Sequence, residues 1–154
     1  MSTFDPNTFL NMTTTESNST SQTPVPVGEY IGVVDKVEAR PWQKKDDPSV
    51  AGMALDILWA IDDANVKALL ERDKVTVKQG IMLDITPEGG LDMGKGKNVG
   101  LGRLREALDL NQPGQPFGFS MLTGRAAKVA VKHRVDNKNP ENIFAEVSAV
   151  AKLA

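Results

Sequence analysis

Apolar and polar residues alternate over four separate stretches of this chain. A fifth stretch carries the only clear helical repeat. Met53, Leu55, Ile57, Trp59 and Ile61 occupy every second position, with Asp56 between them; this is the signature of a strand with one buried face. Trp59 is therefore expected in the core. Within Lys74–Ile85, Val75, Val77, Ile81, Leu83 and Ile85 share one face, and Thr76, Lys78, Met82 and Asp84 share the other. Arg125–Val135 sets Ala127, Val129, Val131 and Val135 inward, with His133 on the same alternation, and Lys128, Lys132 and Arg134 outward. Ile143–Val150 sets Ile143, Ala145, Val147 and Ala149 against Phe144, Glu146 and Ser148. A further strand, Tyr30–Val37, is predicted from its β-branched content. Gly32 inside it suggests a bulge or a sharp coil, and Tyr30 lies opposite Ile31 and Val33.

Leu101, Leu104 and Leu108 recur at helical spacing. Asn98 is placed to cap the helix start, and Asn111, Pro113 and Gly114 to stop it. A short helical turn is expected at Val66–Leu70. Ala39 to Gly52 reads as a polar loop, Pro87–Gly90 and Asp136–Pro140 as turns, and Gln112–Phe119 as a proline-glycine connection. The order β-β-β-α-β-β predicts a mainly β fold: a five-stranded OB-type barrel with one helix between strands three and four. An SH3-like barrel and a small sandwich remain alternatives, because element order alone does not fix closure. Residues 28–154 are assigned to the barrel and residues 1–27 to a flexible N-terminal arm. Asn11–Thr23 is almost entirely Thr, Ser, Asn and Gln, too poor in apolar surface to offset the entropy of ordering. Phe4, Phe9 and Leu10 are either a docking motif on that tether or incidental.

Composition narrows the function. The chain has 154 residues, enough for one self-sufficient core. It has no cysteine, so disulfides and thiolate metal sites are excluded. Asp46-Asp47 and Asp62-Asp63 lack the ligand spacing of a calcium loop, and no metal or other cofactor is expected. No apolar run approaches the ~18 residues of a membrane span, and the start lacks a basic-then-apolar leader. Neither a membrane partner nor secretion is expected. The net charge is −2, but its distribution is uneven: Asp46–Asp73 carries a net −5 and Lys95–Arg134 a net +6. A nearly neutral chain can thus present a basic face.

Three groups of residues are candidates for a site. Gly89-x-x-x-x-Gly94-Lys95 matches the opening of a phosphate-binding P-loop, but Gly96 stands where Ser or Thr would ligate magnesium. Lys95 and Lys97 at a helix start could still meet phosphate; a plain turn is the alternative. Trp42, with Arg40, Lys44 and Lys45 close by, has the chemistry of a base-stacking platform flanked by phosphate contacts; otherwise it is a lid folded onto the barrel. Arg125, Lys128, Lys132 and Arg134 form a ladder that could follow a phosphate backbone, or simply a solvated strand face. No enzyme is expected: His133 is the only histidine and reads as structural, and no nucleophile–base constellation stands out.

The chain resembles the OB-type single-stranded DNA-binding proteins of tailed bacteriophages. The resemblance rests on Pro26-Val27-Gly28-Glu29-Tyr30-Ile31-Gly32-Val33, Ala54-Leu55-Asp56-Ile57-Leu58-Trp59, Gly102-Arg103-Leu104-Arg105-Glu106-Ala107-Leu108, Leu122-Thr123-Gly124-Arg125-Ala126-Ala127-Lys128-Val129 and the start Phe4-Asp5-Pro6. It implies sequence-tolerant binding of single-stranded DNA in phage replication or recombination, in the host cytoplasm. Phage replication or recombination proteins and a second copy of the chain are open as protein partners. The sequence departs from bacterial-type binders in ending Ala149-Val150-Ala151-Lys152-Leu153-Ala154, without an acidic tail, which puts tail-mediated recruitment in doubt. A phage virion decoration protein, with the arm reaching a neighbouring subunit, is the alternative from a different class.

Overall fold

The computed structural model describes residues 4–19 and 23–153. The first three residues of the predicted arm, and residues 20–22 within it, lie outside that range. Five strands, β1 (Gly28–Gln43), β2 (Ala51–Ile61), β3 (Thr76–Leu83), β4 (Ala126–Val135) and β5 (Ile143–Ala151), close into a barrel in the order β1-β2-β3-β5-β4. Neighbours are antiparallel except β3 and β5, which meet in parallel through the single registered pair Lys78–Glu146. Helix α3 (Val99–Ala107) lies between β3 and β4, as the element order predicts for an OB-type barrel. Two shorter helices, α1 (Pro6–Leu10) and α2 (Ala64–Leu70), precede it. Asp63 caps α2 by accepting from the Val66 N–H, and this helix contains the expected turn.

Alternation decides what the barrel encloses. Leu55, Ile57, Trp59 and Ile61 of β2, Val77, Ile81 and Leu83 of β3 and Ala127, Val129 and Val131 of β4 are all buried. Leu101, Leu104, Ala107 and Leu108 of the helical segment join the same cluster, so α3 plugs the barrel as its leucine repeat predicts. Each such Leu, Ile or Val side chain contributes about 1.5–3 kcal/mol by leaving water. Trp59 has no exposed surface, and its Nε1–H donates to Gln79 Oε1 at 2.8 Å. Gly32 has a packing role: a Cβ there would meet Trp59 at 3.0 Å and Val129 at 3.1 Å. The bulge expected at Gly32 falls instead between Val34 and Lys36.

Several sequence-based expectations give way. Ala39–Gln43 is strand, registered against Ala51–Leu55, and the loop between β1 and β2 shrinks to its tip. Pro41 is tolerated because β4 pairs β1 only as far as Val33, which leaves that edge of β1 without a ladder to break. Val135 is exposed and His133 lies outside the core, because β1 begins at Gly28 opposite Val131 and β4 overhangs the barrel beyond it. His133 Nε2 instead lies 2.7 Å from the Val25 carbonyl and ties down the lead-in to β1. On β5 the register jumps one residue, from Val131–Val147 to Ala130–Ala149. That bulge reverses the inward face: Val150 packs on the core and Ala149 is exposed.

The helix ends also differ. Asn98 makes no side-chain cap to α3. It is a clamp, accepting from the Asp84 N–H at 2.7 Å and donating to the carbonyls of Asp84 and Asp92. The helix stops at Ala107, earlier than Asn111, because Asp109 adopts φ 59°. The Leu110 N–H then bonds the Arg105 carbonyl and the Asp109 N–H the Glu106 carbonyl, which is a Schellman closure.

Candidate nucleic-acid interface

Register places Trp42 on the outer face of the β1–β2 hairpin, opposite Gly52. The indole lies across that glycine: a Cβ on Gly52 would come within 2.7 Å of Trp42 Cζ2 and 2.8 Å of Cε2. Only glycine leaves room for the ring to lie on the sheet. The ring is half-buried, and its Nε1–H is buried with no hydrogen-bond partner among the described residues. Trp42 is thus a fixed aromatic plate on a strand rather than a side chain in a loop. Lys44 and Lys45 follow it at the hairpin tip, both exposed and with no ion pair among the described residues.

Arg40, two residues before Trp42 on the same face, donates through Nε to Asp56 Oδ2 at 2.9 Å, and Lys78 Nζ of β3 lies 3.6 Å from the same oxygen. The hydrogen bond from Arg40 holds the Asp56 carboxyl below its usual range; partial burial opposes this and the Lys78 charge adds to it. The same bond raises Arg40 above its ordinary value. Across the next seam, Lys78 is registered with Glu146 of β5, and Glu146 with Lys132 of β4. Arg134 donates to Glu146 Oε2 at 3.3 Å, and its guanidinium carbon sits 5.4 Å from the centre of the Phe144 ring.

Arg40, Trp42, Lys132 and Arg134 are therefore joined, strand to strand, on one continuous outer surface. Lys78 and Phe144, which were not among the sequence candidates, complete it. Their signal was present: both occupy outward positions of alternating strands.

The other candidates sit elsewhere. Lys128 faces β1 and lies 3.7 Å from Glu29. Arg125 precedes β4, where its carbonyl accepts from the Val34 N–H. Lys128 nonetheless shares the outward face of β4 with Lys132 and Arg134, all three registered along β5, and only Arg125 lies before the strand. Lys95 and Lys97 lie in the loop after β3, near the end where β2 begins, since Leu83 is registered with Met53. Part of the backbone there is already hydrogen-bonded. The Gly94 N–H is taken by Asp92 Oδ1 at 2.9 Å and the Asn98 N–H by Asp84 Oδ2 at 2.8 Å. Carboxylates thus occupy two of this loop's backbone donors. Lys95 and Lys97 themselves remain without an ion pair among the described residues.

Among the described residues no group of three or more His, Cys, Asp or Glu side chains could hold a metal ion, and no helix is long and apolar enough to cross a membrane. No protein-family model matches the chain, and neither does any curated protein.

Proposed function

We propose that this chain is a sequence-tolerant single-stranded DNA-binding protein of the kind that serves phage replication or recombination. The observation that carries this reading is the Trp42 plate, held flat on the outer sheet over Gly52 and followed directly by Lys44 and Lys45, neither with an ion pair among the described residues. A π-face accepts any base, and flanking cations take the phosphates. Arg40 on β1, Lys78 on β3 and Lys132 and Arg134 on β4 extend the cationic path around the barrel, with Asp56 holding Arg40 and Lys78 and Glu146 holding Arg134. Titration with oligo-dT tests the proposal: intrinsic fluorescence should fall on binding, and affinity should drop steeply with salt.

A second reading has its own support. Helix α1 leaves Phe9 and Leu10 exposed at 67 % and 78 %, with Phe4 beside it at 87 %. An arm of this kind suits a virion decoration protein that docks on a neighbouring subunit. Recovery of the protein in purified virions, together with no affinity for DNA, would decide for it.

A further inference from the structure

β3 and β5 are registered at only one pair, Lys78–Glu146. Towards the start of both strands the sheet parts and leaves an open cleft of about 460 Å³. Leu58 and Ile143 give it apolar walls, and Thr76, Lys78 and Asn142 give it a polar rim. Phe144 lines the same cleft and is 44 % exposed. Leaving this ring in water forgoes about 1.5–3 kcal/mol of burial. Its setting is ordered: Glu146 holds the Arg134 guanidinium, which sits over the Phe144 ring. The Thr76 hydroxyl and the Asn142 side-chain amide have no hydrogen-bond partner among the described residues.

We infer that this cleft is a second nucleobase subsite, with Phe144 as its stacking platform and the Asn142 amide and Thr76 hydroxyl able to meet a base edge. Its size falls in the range of small-molecule sites. The ring is pre-positioned, so little rotamer freedom is lost on stacking. Lys78, Lys132 and Arg134 stand where the adjoining phosphates would run. An aliphatic ligand would leave the amide and hydroxyl unsatisfied, and an anion alone would leave the phenyl ring unused. A base with its phosphate uses both.

The subsite rests on the single-stranded DNA reading and deepens it. Along β2, Gly52 under Trp42 and Leu58 at the cleft are six residues apart, about 20 Å. One strand passing from the hairpin to the cleft would touch both aromatic platforms.

The test uses the full chain and a 20-nucleotide oligo-dT carrying iododeoxyuridine. Irradiation followed by peptide mapping should locate cross-links at both Trp42 and Phe144. In an anisotropy titration with the same oligonucleotide, Phe144→Leu should weaken binding on the order of tenfold. The cross-link on the wild-type chain does not depend on the variant folding. If the wild type binds, cross-links stay confined to the β1–β2 hairpin and Phe144→Leu binds within twofold of wild type, the subsite is overturned while single-strand binding stands. If the wild type binds no single-stranded DNA, both fall.

Discussion

Replacing Trp42 with alanine separates stacking from charge and from fold stability. One indole offers one stacking surface, worth about 1–3 kcal/mol, so Kd should rise by a factor of about 5 to 150. The fold should tolerate the change. Packing over Gly52 is lost, but so is a buried N–H that has no acceptor among the described residues, whose burial costs about 1–3 kcal/mol; the two effects oppose one another. Salt dependence adds a further constraint. Indole carries no charge and displaces no counterion, so plots of log Kd against log salt for wild type and Trp42→Ala should run parallel. Lys44→Ala or Lys45→Ala should instead flatten the slope by about 0.7 each. Anisotropy with labelled oligo-dT at four salt concentrations measures all of this, and circular dichroism confirms the fold. Unchanged affinity in Trp42→Ala, or a changed slope, would refute the assignment of Trp42 as a stacking plate.

The remaining predictions concern the core and its electrostatics. Trp59→Phe removes part of a fully buried ring and leaves Gln79 without its donor, so stability should fall by about 2–4 kcal/mol. In urea the midpoint should move with little change in slope; a shift under 0.5 kcal/mol, roughly the scale of a surface substitution, would contradict this packing. Asp56 titrates below its ordinary value because Arg40 hydrogen-bonds it. Its contribution to stability is therefore full above the unfolded carboxylate value near 4 and is lost as pH falls through the lower folded value. Asp56→Asn should be less stable than wild type at pH 7, and the difference should shrink below about pH 4 in thermal melts. A gap that stays constant or widens in acid would show that the Arg40 bond is not what stabilises the carboxylate.

The barrel was legible because four of its strands alternate apolar and polar residues in sequence, and because Leu101, Leu104 and Leu108 mark a single helix among them. The departures share a physical cause: alternation describes a strand locally, whereas burial depends on what lies opposite. Val135 keeps the inward phase but runs past the end of β1. Ala149 loses it to a one-residue bulge that nothing in Glu146-Val147-Ser148 announces. The candidate site was half legible. Trp42 and its cations were visible as chemistry, yet Pro41 and the charges around it disguised a strand as a loop. The Asp84–Asn98 and Asp92–Gly94 bonds, which brace the glycine-rich loop, depend on side chains meeting their partners across a turn. Phe144 and Lys78 were passed over because their importance comes from Arg134, Glu146 and Asp56 on neighbouring strands.

Single-strand binding through this outer surface is the central claim, and a gel shift at two salt concentrations tests it most directly. Equal lengths of single- and double-stranded DNA of mixed sequence would be run at 50 and 200 mM salt, the interval over which phosphate contacts lose most of their strength. The expected result is a shift of the single strand at low salt, strongly weakened at high salt, with the duplex bound far less at both. No single-strand shift at low salt, or equal binding of the duplex, would contradict it.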